Sequence, residues 1–145
     1  MQDAAYDSLL KSKRAELHAR IGRVLETDFS DQVANAPELL AHHFTRAGNL
    51  VTAIPLWREA GMLALGRVAL QEAVGHFQKG LTLIEQQPPS PERDSLELSF
   101  RKALNAALIG LRGFAAPEVS VNATSILQLS EKLTRGVALE WNKRS

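Results

Sequence analysis

Few residues in this chain could do chemistry, and their spacing limits what that chemistry could be. "GMLALGRV", Gly61 to Val68, has two glycines at the separation found in a phosphate-cradling loop. Such a loop needs a lysine that reaches the phosphates and a hydroxyl that holds magnesium, and Arg67 and Val68 stand in those places. The stretch also lies inside a helical pattern rather than between a strand and a helix, so helix packing at Gly61 outweighs nucleotide binding. Four histidines are present: His18, His42, His43 and His76. On a helix, His42 and His43 point about 100° apart and share a metal poorly. Zinc sites use cysteines or i,i+4 histidine pairs, and the chain has neither. No metal or cofactor is therefore expected, and His43 reads as a partly buried, hydrogen-bonded residue with His42 turned to a groove or solvent.

The carboxylates Glu38, Glu59, Glu72, Glu97 and Glu118 fall on separate segments, and no Ser/His/Asp order accompanies a nucleophile elbow. No catalytic residue is expected, and the chain reads as non-enzymatic. "KSKRAELHARIGR" carries Lys11, Lys13, Arg14, Arg20 and Arg23. It could touch nucleic acid, but it has no interleaved aromatics and is followed at once by Glu26, Asp28 and Asp31. A solvated helix face is the better reading of such a run. "NAT" at Asn122 matches a glycosylation acceptor, but nothing indicates secretion.

The elements that must position these residues follow from composition and periodicity. The chain has 145 residues, 45% hydrophobic and 23% charged, with a net charge of +1. That composition supports a core and gives no whole-molecule attraction to nucleic acid or acidic membranes. The absence of cysteine excludes disulfides and favours a reducing, cytosolic setting. No apolar run approaches the roughly 20 residues that span a bilayer. The amino-terminal residues begin as though already within a helix, which suggests a piece of a longer protein.

Apolar residues at three- and four-residue spacing predict six helices, over 3–26, 36–47, 50–66, 69–86, 91–112 and 117–134, with a tail at 135–145. The first places Tyr6, Leu9, Leu10, Leu17, Ile21, Val24 and Leu25 on its apolar stripe. "TDFSDQVANAP" reads as a loop. Asn35 and Glu38 suggest a capping box for the second helix, whose stripe is Leu39, Leu40, His43, Phe44 and Ala47, with Gly48 as its stop. The fourth has Leu70, Ala73, Val74, Phe77, Leu81 and Ile84 inward. Ser90 caps the fifth, with Pro91 in its first turn and Gly113 at its end. That helix should bury Leu96, Phe100, Ala103, Leu104, Ala107, Leu108 and Leu111, and the sixth Val119, Ala123, Ile126, Leu127 and Leu133. The class is all-α, a single domain made of an antiparallel array of helices joined by short links.

Pro55 interrupts the third stripe without ending it. Ala53, Trp57, Ala60 and Ala64 continue across it, and Asn49 can cap a helix ahead of it. One helix over 50–66 is predicted, bent in its first two turns where proline removes the bond to the Val51 carbonyl.

A tetratricopeptide repeat pairs two antiparallel helices with a period of about 34 residues. Trp57, Ala60, Gly61 and Ala64 resemble its first helix, and Ala73, Phe77 and Gly80 its second. The same pattern recurs one helix earlier, with Leu40, Ala41 and Phe44 followed by Ala53, Trp57 and Ala60. Gly61 to Ala73 and Ala41 to Ala53 are both twelve residues apart. Both registers use Trp57 and Ala60, so the third helix should be shared between its neighbours.

The ordered phrases "QDAAYDSLLKSKRAELHARIGRVLE", "APELLAHHFTRAGN", "AIPLWREAGMLALGRVALQEAVGHFQKGLTLI" and "LRGFAAPEV" cover most of the chain. Together they resemble the tetratricopeptide-like helical region of bacterial proteins that pair an adenylate or guanylate cyclase domain with a signal-transduction ATPase. The resemblance implies a sensor or relay arm that contacts a protein or peptide, or the other domains of a parent protein. The cyclase and ATPase domains themselves are not in this stretch. Carried over from the repeat, the partner-binding positions would be Glu38, His42, Thr45, Arg46, Arg58, Met62 and Leu65. A homodimer through an uncapped end of the array, and nucleic-acid binding through the basic first helix, are the competing readings.

Overall fold

The computed structural model describes residues 2–28 and 34–144, with side chains from residue 4 to residue 143. Its main elements are six helices: α1 (Gln2–Asp28), α2 (Pro37–Arg46), α3 (Leu50–Gly66), α4 (Leu70–Glu85), α5 (Pro91–Arg112) and α6 (Pro117–Arg144). No strand occurs among the described residues, and the class is all-α. The middle of the expected first loop, residues 29–33 with Asp31, lies outside the described residues, and residues 27–28 and 34–35 on either side are helical rather than loop. The chain divides into two compact units, one up to Ala60 and one from Gly61.

In the first unit, α1 lies against α2. The contact uses small residues. A β-carbon placed on Gly22 would stand 3.2 Å from Cζ of Phe44, and Ala15 and Ala19 are half-buried nearby in sequence. The large residues do something else. Tyr6, Leu9, Leu10, Leu17 and Val24 are exposed, so the expected inward stripe of α1 is mostly a surface stripe. Close approach of two helices selects the face with the shortest side chains, and that face is not the most apolar one.

The second helix starts differently from the expected capping box. Ala36 is its N-cap, with no side-chain cap bond, and buried Pro37 opens the first turn. Asn35 sits one residue too early, within a helical turn of its own. Proline at the first helical position loses no bond, because that N–H has no partner inside the helix. Leu40 and Phe44 are buried as expected and Ala41 is buried with them, whereas Leu39 is exposed. Gly48 has φ +79° and ends the helix, with Asn49 N–H donating to the Phe44 carbonyl at 2.9 Å.

Asn49 then caps α3, its Oδ1 accepting from Thr52 N–H at 3.3 Å. The helix runs unbroken through Pro55. Val51 and Pro55 are both exposed, so the carbonyl that proline leaves unpaired lies on a face open to water. Ala53, Ile54, Trp57 and Ala60 are buried.

The second unit is held by glycines that admit phenylalanines. A β-carbon on Gly61 would stand 2.6 Å from Cδ1 of Phe77, and one on Gly80 would stand 2.9 Å from Cζ of Phe100. The two rings meet edge to face, with centroids 6.3 Å apart. Gly80 meets Phe100 while Leu70 meets Gly110, so α4 and α5 run antiparallel. Ser90 Oγ caps α5 by accepting from Arg93 N–H at 3.0 Å, and Gly113 closes it at φ +86°. Leu111, expected inside, is exposed at that open end.

In α6 the inward line is Val119, Asn122 and Leu129, and Leu127 points to solvent. A polar residue thus occupies a place where the sequence reading sought only apolar ones. The expected tail is helical as far as Arg144. Ala138, Leu139, Glu140 and Lys143 favour helix and no proline stops it, so the helix continues although Val137, Leu139 and Trp141 stay exposed.

Candidate interaction surface

The seven positions proposed for partner contact fall into two groups. Glu38, His42, Thr45 and Arg46 belong to α2, where Glu38 and Thr45 are half-buried and His42 and Arg46 exposed. Thr45 is committed internally. Its hydroxyl donates to the Ala41 carbonyl at 2.7 Å and accepts from Trp57 Nε1 at 2.9 Å. It therefore positions α2 and the buried tryptophan, and offers little to a ligand. Arg58 is exposed on the part of α3 that belongs to the first unit. Met62 is exposed and Leu65 half-buried on the part that belongs to the second.

The glycine pair of the phosphate-loop look-alike is used for structure. Gly61 is buried against Phe77, and Gly66 is the last residue of α3. The turn that follows holds Val68 at φ +60°, an unfavourable place for a β-branched residue.

A polar contact between α1 and α2 was not legible in the sequence. His18 on α1 and His43 on α2 bring their Nδ1 atoms within 2.9 Å, with ring centroids 5.2 Å apart. Two imidazoles hydrogen-bonded in this way share one proton, one nitrogen donating and the other accepting. His42 lies edge-on to His43 at 5.9 Å. His43 is half-buried and hydrogen-bonded, as expected. Burial, and then the charges that His18 and His42 would carry, hold its pKa below the ordinary 6.5. The pair is a proton-sensitive tie between α1 and α2. No feature of His18 in the sequence marks it for this role. Among the described residues no group of three or more histidines, cysteines or carboxylates is placed to hold a metal.

Asn122 is also reassigned. It is buried, and its amide donates to the Arg101 carbonyl at 2.9 Å and to Asn105 Oδ1 at 3.3 Å. Arg101 Nη1 donates back to its Oδ1 at 3.2 Å. The side chain that matches a glycosylation acceptor is thus bonded between α5 and α6 and closed to a glycan. Farther along the same helix pair, Lys132 meets Asp94 at 3.0 Å beside a shallow groove of about 350 Å³. No described helix is long and apolar enough to cross a membrane.

No known protein family matches the chain. An uncharacterized protein of Rhizobium meliloti (strain 1021) is 29% identical over 116 residues, 80% of this chain. The match covers 11% of that relative, so the chain spans about a tenth of the length of the curated protein it resembles. No solved structure matches.

Proposed function

We propose that the chain is a non-enzymatic, tetratricopeptide-like helical module for protein interaction, the sensor or relay arm of a signalling ATPase or cyclase. The observation that carries this reading is the recurrent seating of phenylalanine on glycine. It occurs at Gly22 with Phe44, Gly61 with Phe77 and Gly80 with Phe100. Helices packed on a neighbour in sequence, as α1 with α2, α4 with α5 and α5 with α6, make a scaffold for surfaces. The similarity to a short stretch of a much longer protein fits an arm that serves other domains.

The reading is tested by calorimetry with ATP, GTP and their magnesium complexes, together with the reading frame that surrounds the gene. A flat titration and an ATPase or cyclase frame joined to this chain are the expected results. Micromolar nucleotide binding would overturn the non-enzymatic assignment. Flanks without such a frame would overturn the parentage.

A further inference from the structure

The exposed side of α1 has a regular seam that the interaction reading above does not use. Leu10, Leu17 and Val24 recur every seven residues and are 39%, 55% and 47% exposed. Seven residues are nearly two helical turns, so the three side chains form one line about 20 Å long. Lys13 and Arg20 stand three residues after Leu10 and Leu17, in the gaps of that line. Leu10 to Val24 carries five cations, Lys11, Lys13, Arg14, Arg20 and Arg23, all exposed, against one carboxylate, Glu16. No carboxylate among the described residues forms an ion pair with any of them.

We propose that this seam docks an amphipathic helix of a partner protein, one with apolar residues at heptad spacing and carboxylates flanking them. The apolar line supplies the contact, and the cations select the charge of the incoming helix. A second copy of α1 fits badly. Paired antiparallel about Leu17, it would set Lys11 beside Arg23 and Arg14 beside Arg20, and paired parallel it would set each cation beside its own copy. Like charges so placed disfavour association. A lipid surface fits less well too. Lys13 and Arg20 break the apolar line itself, and the side opposite is occupied by α2 rather than left polar. The surface is separate from the α2 and α3 positions and stands whether or not those bind a peptide.

The test uses the whole chain and two designed heptad peptides with leucine seams, one flanked by glutamates and one by lysines. Fluorescence anisotropy is read at low and high salt, with phosphatidylserine-containing vesicles and a DNA duplex as further probes. The glutamate peptide should bind, with affinity at least about tenfold above the lysine peptide and reduced by salt. Leu17→Glu should abolish binding, and Lys13→Glu with Arg20→Glu should reverse the preference between the peptides. Unchanged circular dichroism checks that these exposed substitutions leave the fold intact. Equal binding of both peptides, or none, overturns the proposal. So does binding to vesicles or DNA alone, or a dimer mass in light scattering that Leu17→Glu removes.

Discussion

The two units solve the same packing problem to different depths. In the first, a β-carbon on Gly22 would crowd the Phe44 ring by only a few tenths of an ångström, and the large residues of α1 remain outside. In the second, Gly61 and Gly80 admit Phe77 and Phe100 so closely that no β-carbon fits, and both rings are fully buried. The device is shared, and the second unit also buries Val74, Leu81, Ile84, Leu104 and Leu108, against Leu40, Ile54 and Trp57 in the first. A glycine–phenylalanine contact is therefore as strong as the shell that holds the ring in place.

Removing the rings breaks the comparison most directly. Phe100→Ala should destabilise the second unit by about 3–5 kcal/mol, and Phe44→Ala should cost less because α1 can settle onto the gap. Urea unfolding followed by hydrogen exchange separates the two units. Equal losses would mean that the first unit is as tightly enclosed as the second. Filling the glycines comes next. Gly80→Ala should destabilise by about 1–3 kcal/mol, since overpacking against a fixed ring exceeds the gain in helix propensity. Gly22→Ala should change stability by less than about 0.5 kcal/mol, the two effects nearly cancelling there. Thermal melts decide, and a neutral Gly80→Ala would show that the Phe100 ring can move.

The two turns on either side of α3 sharpen the contrast further. Asn49 N–H bonds the Phe44 carbonyl at 2.9 Å, and Ala69 N–H bonds the Ala64 carbonyl at 2.8 Å. Both closures need a left-handed residue just before the donor. The first has Gly48 at φ +79°, and the second has Val68 at φ +60°. Val68 is exposed, so Val68→Gly sacrifices little packing and should stabilise the chain by about 1 kcal/mol. A lower melting temperature for that variant would show that the valine is held by something other than the turn.

The smallest effect is expected from pH. His43 has a lowered pKa in the folded chain, so the unfolded chain takes up the proton first as pH falls. Its contribution is complete above the ordinary 6.5 and is lost as pH drops below it. Melting temperature should fall from pH 7.5 to pH 5, and His43→Gln should flatten that slope. Hydrogen exchange should place the loosening in α1 and α2, and an unchanged α1 at pH 5 would count against the histidine tie.

The helices were legible because their causes are local. Ser90 with Pro91 starts α5, Gly113 ends it, and Asn49 lets α3 begin ahead of Pro55. The same reasoning placed Asn35 as a cap and failed, since Pro37 set the start instead. The site was less legible. Thr45 reads as a surface residue until Trp57 is seen to bond to it, and His18 has no sequence partner at all.

By itself the sequence determined the all-α class, the helix limits to within a few residues except at the carboxyl end of α6, and the short residues Gly61 and Gly80 at helix contacts. Dihedral preferences, capping bonds and helical periodicity act within a few residues of chain, so they can be read in order. Only the tertiary structure decided which stripe of α1 is buried, which nitrogen His43 meets and why Asn122 lies inside. Those outcomes depend on how closely segments 17–25 residues apart can approach. Side-chain size at the contact governs that approach, and hydrophobicity along the chain does not report it.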